Sequence, residues 1–130
     1  MTRFEQREQA LFLIFESMFS GNDYSEGVAL YEESNGKLGE YAKYLYDGVS
    51  GVTEELDGII SQHSNGWKIS RLPKVNVAIL RLAIYEILHV DDVPDSVAIN
   101  EAVELTKKYS GREDASFVNG ILGSVYRSKN

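Results

Sequence analysis

Hydrophobic and polar positions follow the helical repeat along most of this chain, and one stretch breaks the rule informatively. In PKVNVAILRLAIYEILH, residues 73–89, eleven of the fourteen residues between Val75 and Leu88 are apolar. At about 100° per residue they surround a helix axis instead of lining one side. Leu80, Ile84, Ile87 and Leu88 take one side, and Val75, Ile79 and Leu82 the opposite one. A helix that is apolar all round must be covered all round. Its length and its charges at Lys74, Arg81 and Glu86 argue against a bilayer span. The pattern therefore predicts the central helix of a bundle, with Ile79, Leu80, Ile84 and Leu88 fully buried. Pro73 suits a first helical position, where a missing N–H costs nothing, and Ser70 is a candidate cap. Glu86 needs a partner in such surroundings, and Arg81 or Arg71 is expected to supply it.

Two-faced segments flank this helix. Thr2-x-x-Glu5 has the form of a capping box. It opens a helix whose apolar face holds Phe4, Leu11, Phe15, Met18 and Phe19, with Ala10 and Ile14 beside them and Gly21 as the stop. Residues 22–39 are polar, with room for a short helix around Val28, Leu30 and Tyr31. From Leu38 a stripe runs through Ala42, Leu45, Val49, Val52, Leu56, Ile59 and His63 in steps of four and three, which predicts sustained helix with a bend near Gly48 and Gly51. Gly48, Gly51 and Gly58 would permit close packing on the central helix. Ser64-Asn65-Gly66 ends the stripe, and Trp67 is expected to anchor the linker in the core. Asp95 or Ser96 can cap a helix reaching Tyr109, with Ala98, Ile99, Ala102, Val103, Leu105, Thr106 and Tyr109 on one side. Asp114 can cap a last helix with Val118, Ile121, Leu122 and Val125 inward and Phe117 at the rim. No strand alternation, repeat or linker is visible. The expectation is an all-α fold of six or seven helices in one domain, residues 1–130.

Composition narrows the function classes. There is no cysteine, so disulfides and thiolate metal sites are excluded. His63 and His89 are far apart, and no metal-ligand spacing or phosphate loop occurs. The residues present no catalytic constellation, metal site or cofactor site, which points to a binding protein and not an enzyme. The polar N-terminus shows no secretory signal, so a cytoplasmic protein is expected. The net charge of −7 opposes generic nucleic-acid binding. Yet the charge is uneven: residues 17–64 carry nine acids and two lysines, whereas residues 67–85 carry Lys68, Arg71, Lys74 and Arg81 and no acid. An acidic lobe beside a basic face suits one basic protein partner and a small nucleic-acid patch. Arg3 and Arg7, four residues apart, read either as solvated arginines whose stems cover the apolar face or as part of such a patch.

Three stretches together resemble one family: Arg71-Leu72 followed by ILRLAIYEIL (79–88), VPDSVAINEAVELTKKY (93–109) and FVNGIL (117–122), with REQAL (7–11) and YDGV (46–49) in matching order. The chain resembles the transcription antitermination factor NusB family over nearly its whole length. The resemblance implies two packed helical subdomains. It implies binding of single-stranded boxA RNA from ribosomal RNA leader transcripts, together with NusE, a small-subunit ribosomal protein, in the elongating RNA polymerase complex. It places RNA binding at Arg3, Arg7, Ser116 and Phe117, with Lys68 and Arg71 as neighbours, and NusE at Phe15 and Asn76. The N-terminus departs from the family in carrying only two arginines, interleaved with Glu5 and Glu8. Asn76 stands where some members carry an acid. The alternative is a purely protein-binding or self-associating helical scaffold.

Overall fold

A computed structural model describes residues 1–129. They form seven α-helices and one 3-10 turn: α1 (Arg3–Ser20), α2 (Tyr24–Asn35), α3 (Glu40–Gly51), α4 (Thr53–His63), the turn at Ile69–Arg71, α5 (Lys74–His89), α6 (Asp95–Tyr109) and α7 (Arg112–Lys129). No strand occurs among the described residues. α5 is the hub. It touches α1, α3, α4, α6 and α7, while α1 packs along α3, and α6 along α7. Its Ile79, Leu80 and Ile84 are fully buried, as its uninterrupted apolar surface requires. Leu88 differs from expectation: it stays half-buried in the final turn.

Local chemistry sets the helix starts. Thr2 and Glu5 form the expected capping box, and Gly21 closes α1 at φ 71°. Asp23 and Glu26 form a second capping box, which turns the polar stretch after Gly21 into the twelve-residue α2. α5 begins at Lys74, so Pro73 precedes the helix, and no side chain, Ser70 included, caps it. α6 follows Pro94 without a side-chain cap, leaving Asp95 in its first turn. α7 starts at Arg112, earlier than Asp114, whose carboxylate accepts from the Ser110 hydroxyl.

The long stripe from Leu38 is two helices. The chain leaves helical geometry at Val52, at φ −134° and ψ 28°, and α4 restarts at Thr53. The stripe still buries Leu38, Ala42, Leu45, Val49 and Leu56, but Val52, Ile59 and His63 stay half-buried, and α4 buries Ile60 in place of Ile59. Of Gly48, Gly51 and Gly58, Gly48 alone serves close packing on the central helix: a Cβ there would collide with the Tyr85 ring, whereas Gly51 and Gly58 face open space. Trp67 does not anchor the core; it is 59% exposed in the turn that follows α4. Phe19, expected on the inner face of α1, is 61% exposed, since the buried positions are Arg7, Ala10, Leu11, Leu13 and Ile14. Tyr109 is likewise exposed at the end of α6.

Candidate nucleic-acid and partner interface

α3 has glycine at its N-cap and no side chain of its own to satisfy the first amides. Two glutamines of α1 do so instead. The Gly39 N–H donates to Gln9 Oε1 at 3.1 Å, and the Tyr41 N–H to Gln6 Oε1 at 2.9 Å. This cross-helix cap sets the start of α3 against α1 and places Tyr41 beside both N-terminal arginines.

Arg7 and Arg3 then separate in character. Arg7 is 4% exposed, and its Nε donates to both Glu86 oxygens at 3.1 and 3.0 Å. The Tyr41 hydroxyl donates to Glu86 Oε2 at 2.5 Å. Burial and this bond together push the Tyr41 phenol well above the usual tyrosine range. Arg7 Nη1 also lies 3.9 Å from Glu101. The sequence reading of Arg7 as solvated, or as a phosphate ligand, therefore gives way: its charge is committed inside the protein. Glu86 takes Arg7 and not Arg81 or Arg71 as its partner. Arg81 is bound to Asp57 by two hydrogen bonds of 2.7 and 2.8 Å, and Arg71 is exposed at the end of the 3-10 turn. Arg3, by contrast, is exposed, with its guanidinium carbon 3.8 Å above the Tyr41 ring centroid. Arg3, Arg7, Tyr41 and Tyr44 share a groove of about 640 Å³ with Pro94 and Val97.

Ser116 and Phe117 lie elsewhere, in a groove of about 390 Å³ with His63, Asn65, Ser124 and Arg127. Phe117 is half-buried, the rim position its spacing predicts, and Ser116 is exposed. His63 Nδ1 sits 2.7 Å from the Ser124 hydroxyl, tying α4 to α7 within the same groove. Lys68 is exposed in the linker. The Arg3 groove and the Phe117 groove have no lining residue in common.

A third surface is mostly apolar. A groove of about 620 Å³ is lined by Leu11, Phe12, Phe15, Phe19, Lys74 and Val75, with Glu8 and Tyr109 at its edge. Phe15 packs edge to face on Phe19 at 5.0 Å, and Phe12 is 53% exposed. Glu8 accepts from Lys108 and from Tyr109, each at 2.5 Å, which fixes the polar edge. Asn76 is not on this surface. It is 1% exposed, on the side of α5 that also carries Leu80, Ala83 and Ile87, and neither side-chain polar atom has a partner. The start of α5 presents Lys74 and Val75 to the groove instead.

The pattern described as the NusB family matches residues 5–127. The chain belongs to the NusB family. It is 47% identical to the transcription antitermination protein NusB of Acetivibrio thermocellus, covering 99% of this chain and 91% of that one. It is 47% identical to the NusB protein of Ruminiclostridium cellulolyticum, covering 96% and 88%. Its fold superposes with a TM-score of 0.84 on a solved structure described as antitermination factors NusB and NusE in complex with dsRNA, at 30% identity, covering 98% of this chain and 99% of the other. Both relatives are described as transcription antitermination proteins. No helix among the described residues is long and apolar enough to cross a membrane.

Several residues of these surfaces escaped the sequence reading. Tyr44 lies off the buried stripe of α3, on its polar side, and an aromatic there was the available signal. Phe12 stands on the polar side of α1 in the same way. Arg127 carried no signal, since nothing in its neighbourhood distinguishes a helix-end arginine.

Proposed function

We propose that this NusB-family chain is a transcription antitermination factor that binds single-stranded boxA RNA of ribosomal RNA leader transcripts together with NusE, within the elongating RNA polymerase complex. The observation that carries the reading is the presence of two unlike surfaces: an open apolar groove around Phe15, and a cation–aromatic site in which Arg3 stands exposed on Tyr41. The first suits a protein. The second suits a strand whose phosphates take the guanidinium and whose bases stay open to stacking.

In this reading NusE covers Phe15, with Phe12, Phe19 and Val75, and RNA meets Arg3, Lys68, Arg71, Ser116 and Phe117. Arg7 acts from behind by holding Glu86 and Tyr41 in place. The net charge of −7 makes RNA affinity depend on the partner, whose basic surface offsets the repulsion. The same charge and the size of the apolar groove favour the second reading, a protein-binding scaffold without specific RNA recognition.

A gel-shift titration with boxA RNA, with and without NusE, separates the two. Phe117→Ala is expected to lower boxA affinity by about 1–3 kcal/mol with little change in salt slope. Arg3→Ala is expected to weaken all RNAs alike and flatten the slope by about one ion equivalent. Equal affinity for boxA and scrambled RNA in the presence of NusE would establish the scaffold instead.

A further inference from the structure

An aromatic strip runs from α3 to α5 beside Arg3. Tyr41 and Tyr44 of α3 lie nearly parallel, at 19° with centroids 6.1 Å apart. Tyr85 of α5 meets Tyr44 edge to face at 6.4 Å, and His89 follows Tyr85 at 5.0 Å. Tyr85 reaches this place because Gly48 offers no Cβ. His89 is held in turn by Glu55 at 3.2 Å.

The strip is braced from within and open at one ring. Tyr41 is fixed by its hydroxyl bond to Glu86, which the buried Arg7 holds. Tyr44 is 50% exposed and lines the same groove as Arg3. Core burial does not account for a large aromatic with half its surface in water, and a pre-positioned flat ring costs little entropy to engage. The groove carries carboxylates as well, Asp92 and Glu101, so charge alone would not draw a polyanion into it. A planar, uncharged group stacking on the ring is the chemistry that fits, with an anion at Arg3 within reach of the same ligand.

We propose that Tyr44, backed by Tyr41, is a base-stacking position for RNA, taking one nucleobase of the strand whose phosphate contacts Arg3. The proposal rests on the RNA-binding reading above and adds to it a residue outside the family motifs. It implies that the strand crosses α3 and reaches toward the turn between α5 and α6.

The test uses the full chain with NusE and a boxA oligoribonucleotide. Tyr44→Ala is expected to weaken binding roughly 5- to 150-fold with an unchanged salt slope, the range for one lost stacked base. Tyr44→Phe and Tyr44→Trp are expected to bind like the parent, since each keeps a π face. A scan of single abasic sites should find one nucleotide whose removal weakens the parent but adds nothing to Tyr44→Ala. Thermal melting of each variant checks the fold, which an exposed residue should leave intact. If Arg3→Ala weakens RNA while Tyr44→Ala leaves it unchanged, the RNA reading stands and this assignment falls. If Tyr44→Ala weakens NusE and not RNA, the strip is a protein contact and the assignment again falls. If the parent binds no RNA in the presence of NusE, both fall.

Discussion

Replacing Glu86 by alanine should expose how the interior is wired. In the parent, Arg7 and Glu86 are almost fully buried, and two hydrogen bonds link them. Glu86→Ala leaves a guanidinium inside the protein with only a 3.9 Å approach to Glu101, itself partly exposed. Removing one partner of a buried pair costs about 3–5 kcal/mol, chiefly because the other charge is stranded. The Tyr41 hydroxyl loses its acceptor as well, which adds about 1–3 kcal/mol unless water enters. A domain of this size has about 5–15 kcal/mol in total, so the variant should fold marginally or not at all. Urea unfolding followed by circular dichroism measures the loss. The companion variant Arg7→Met with Glu86→Leu strands no charge and should recover most of it, because apolar replacement of a buried pair is often neutral. A Glu86→Ala loss below about 1 kcal/mol, or a double variant as unstable as the sum of its single changes, would refute the account of Arg7 as internally committed.

Two further outcomes follow from burial. Leu80 has no exposed surface whereas Leu88 is half-buried, so Leu80→Ala should cost about 2–5 kcal/mol and Leu88→Ala clearly less; equal losses in urea titrations would contradict the packing. Burial raises the phenols of Tyr24, Tyr41, Tyr46, Tyr85 and Tyr109 above their ordinary value. Their stabilisation is therefore complete below about pH 10, the unfolded value, and is lost as pH rises through the higher folded values. Ultraviolet titration should show delayed ionisation of part of the tyrosine set followed by alkaline unfolding, and Tyr41→Phe should remove part of the delay.

The helical content and the hub could be read from the chain because α5 has no polar side to offer water, a property of fourteen consecutive residues. The capping box at Thr2 was equally plain. The one at Asp23 has the same spacing, but its helix carries a weak apolar face and buries only Gly27, so periodicity gave little support. The bend expected near Gly48 and Gly51 falls at Val52, but that it divides the stretch into two helices was hidden because the stripe runs on through it in register. The site was less legible. That Phe117 sits at a rim followed from spacing, but which arginine is buried depends on Glu86, seventy-nine residues away from Arg7. Long-range pairing of this kind leaves no local pattern. Asn76 shows another limit: the family resemblance placed it at the NusE surface, yet it lies inside without a partner.

The cap that Gln6 and Gln9 lend to α3 makes one helix conditional on another. A helix begun by its own Ser, Thr or Asp can form wherever the chain happens to be; α3, begun by Gly39, has its first amides satisfied only once α1 has docked. The start of α3 should therefore belong to the same cooperative opening unit as α1, and its amide protons should exchange at α1's rate instead of fraying singly. On a ribosome this has an order built in: α1 leaves the exit tunnel first and waits, and α3 takes shape against a template already made.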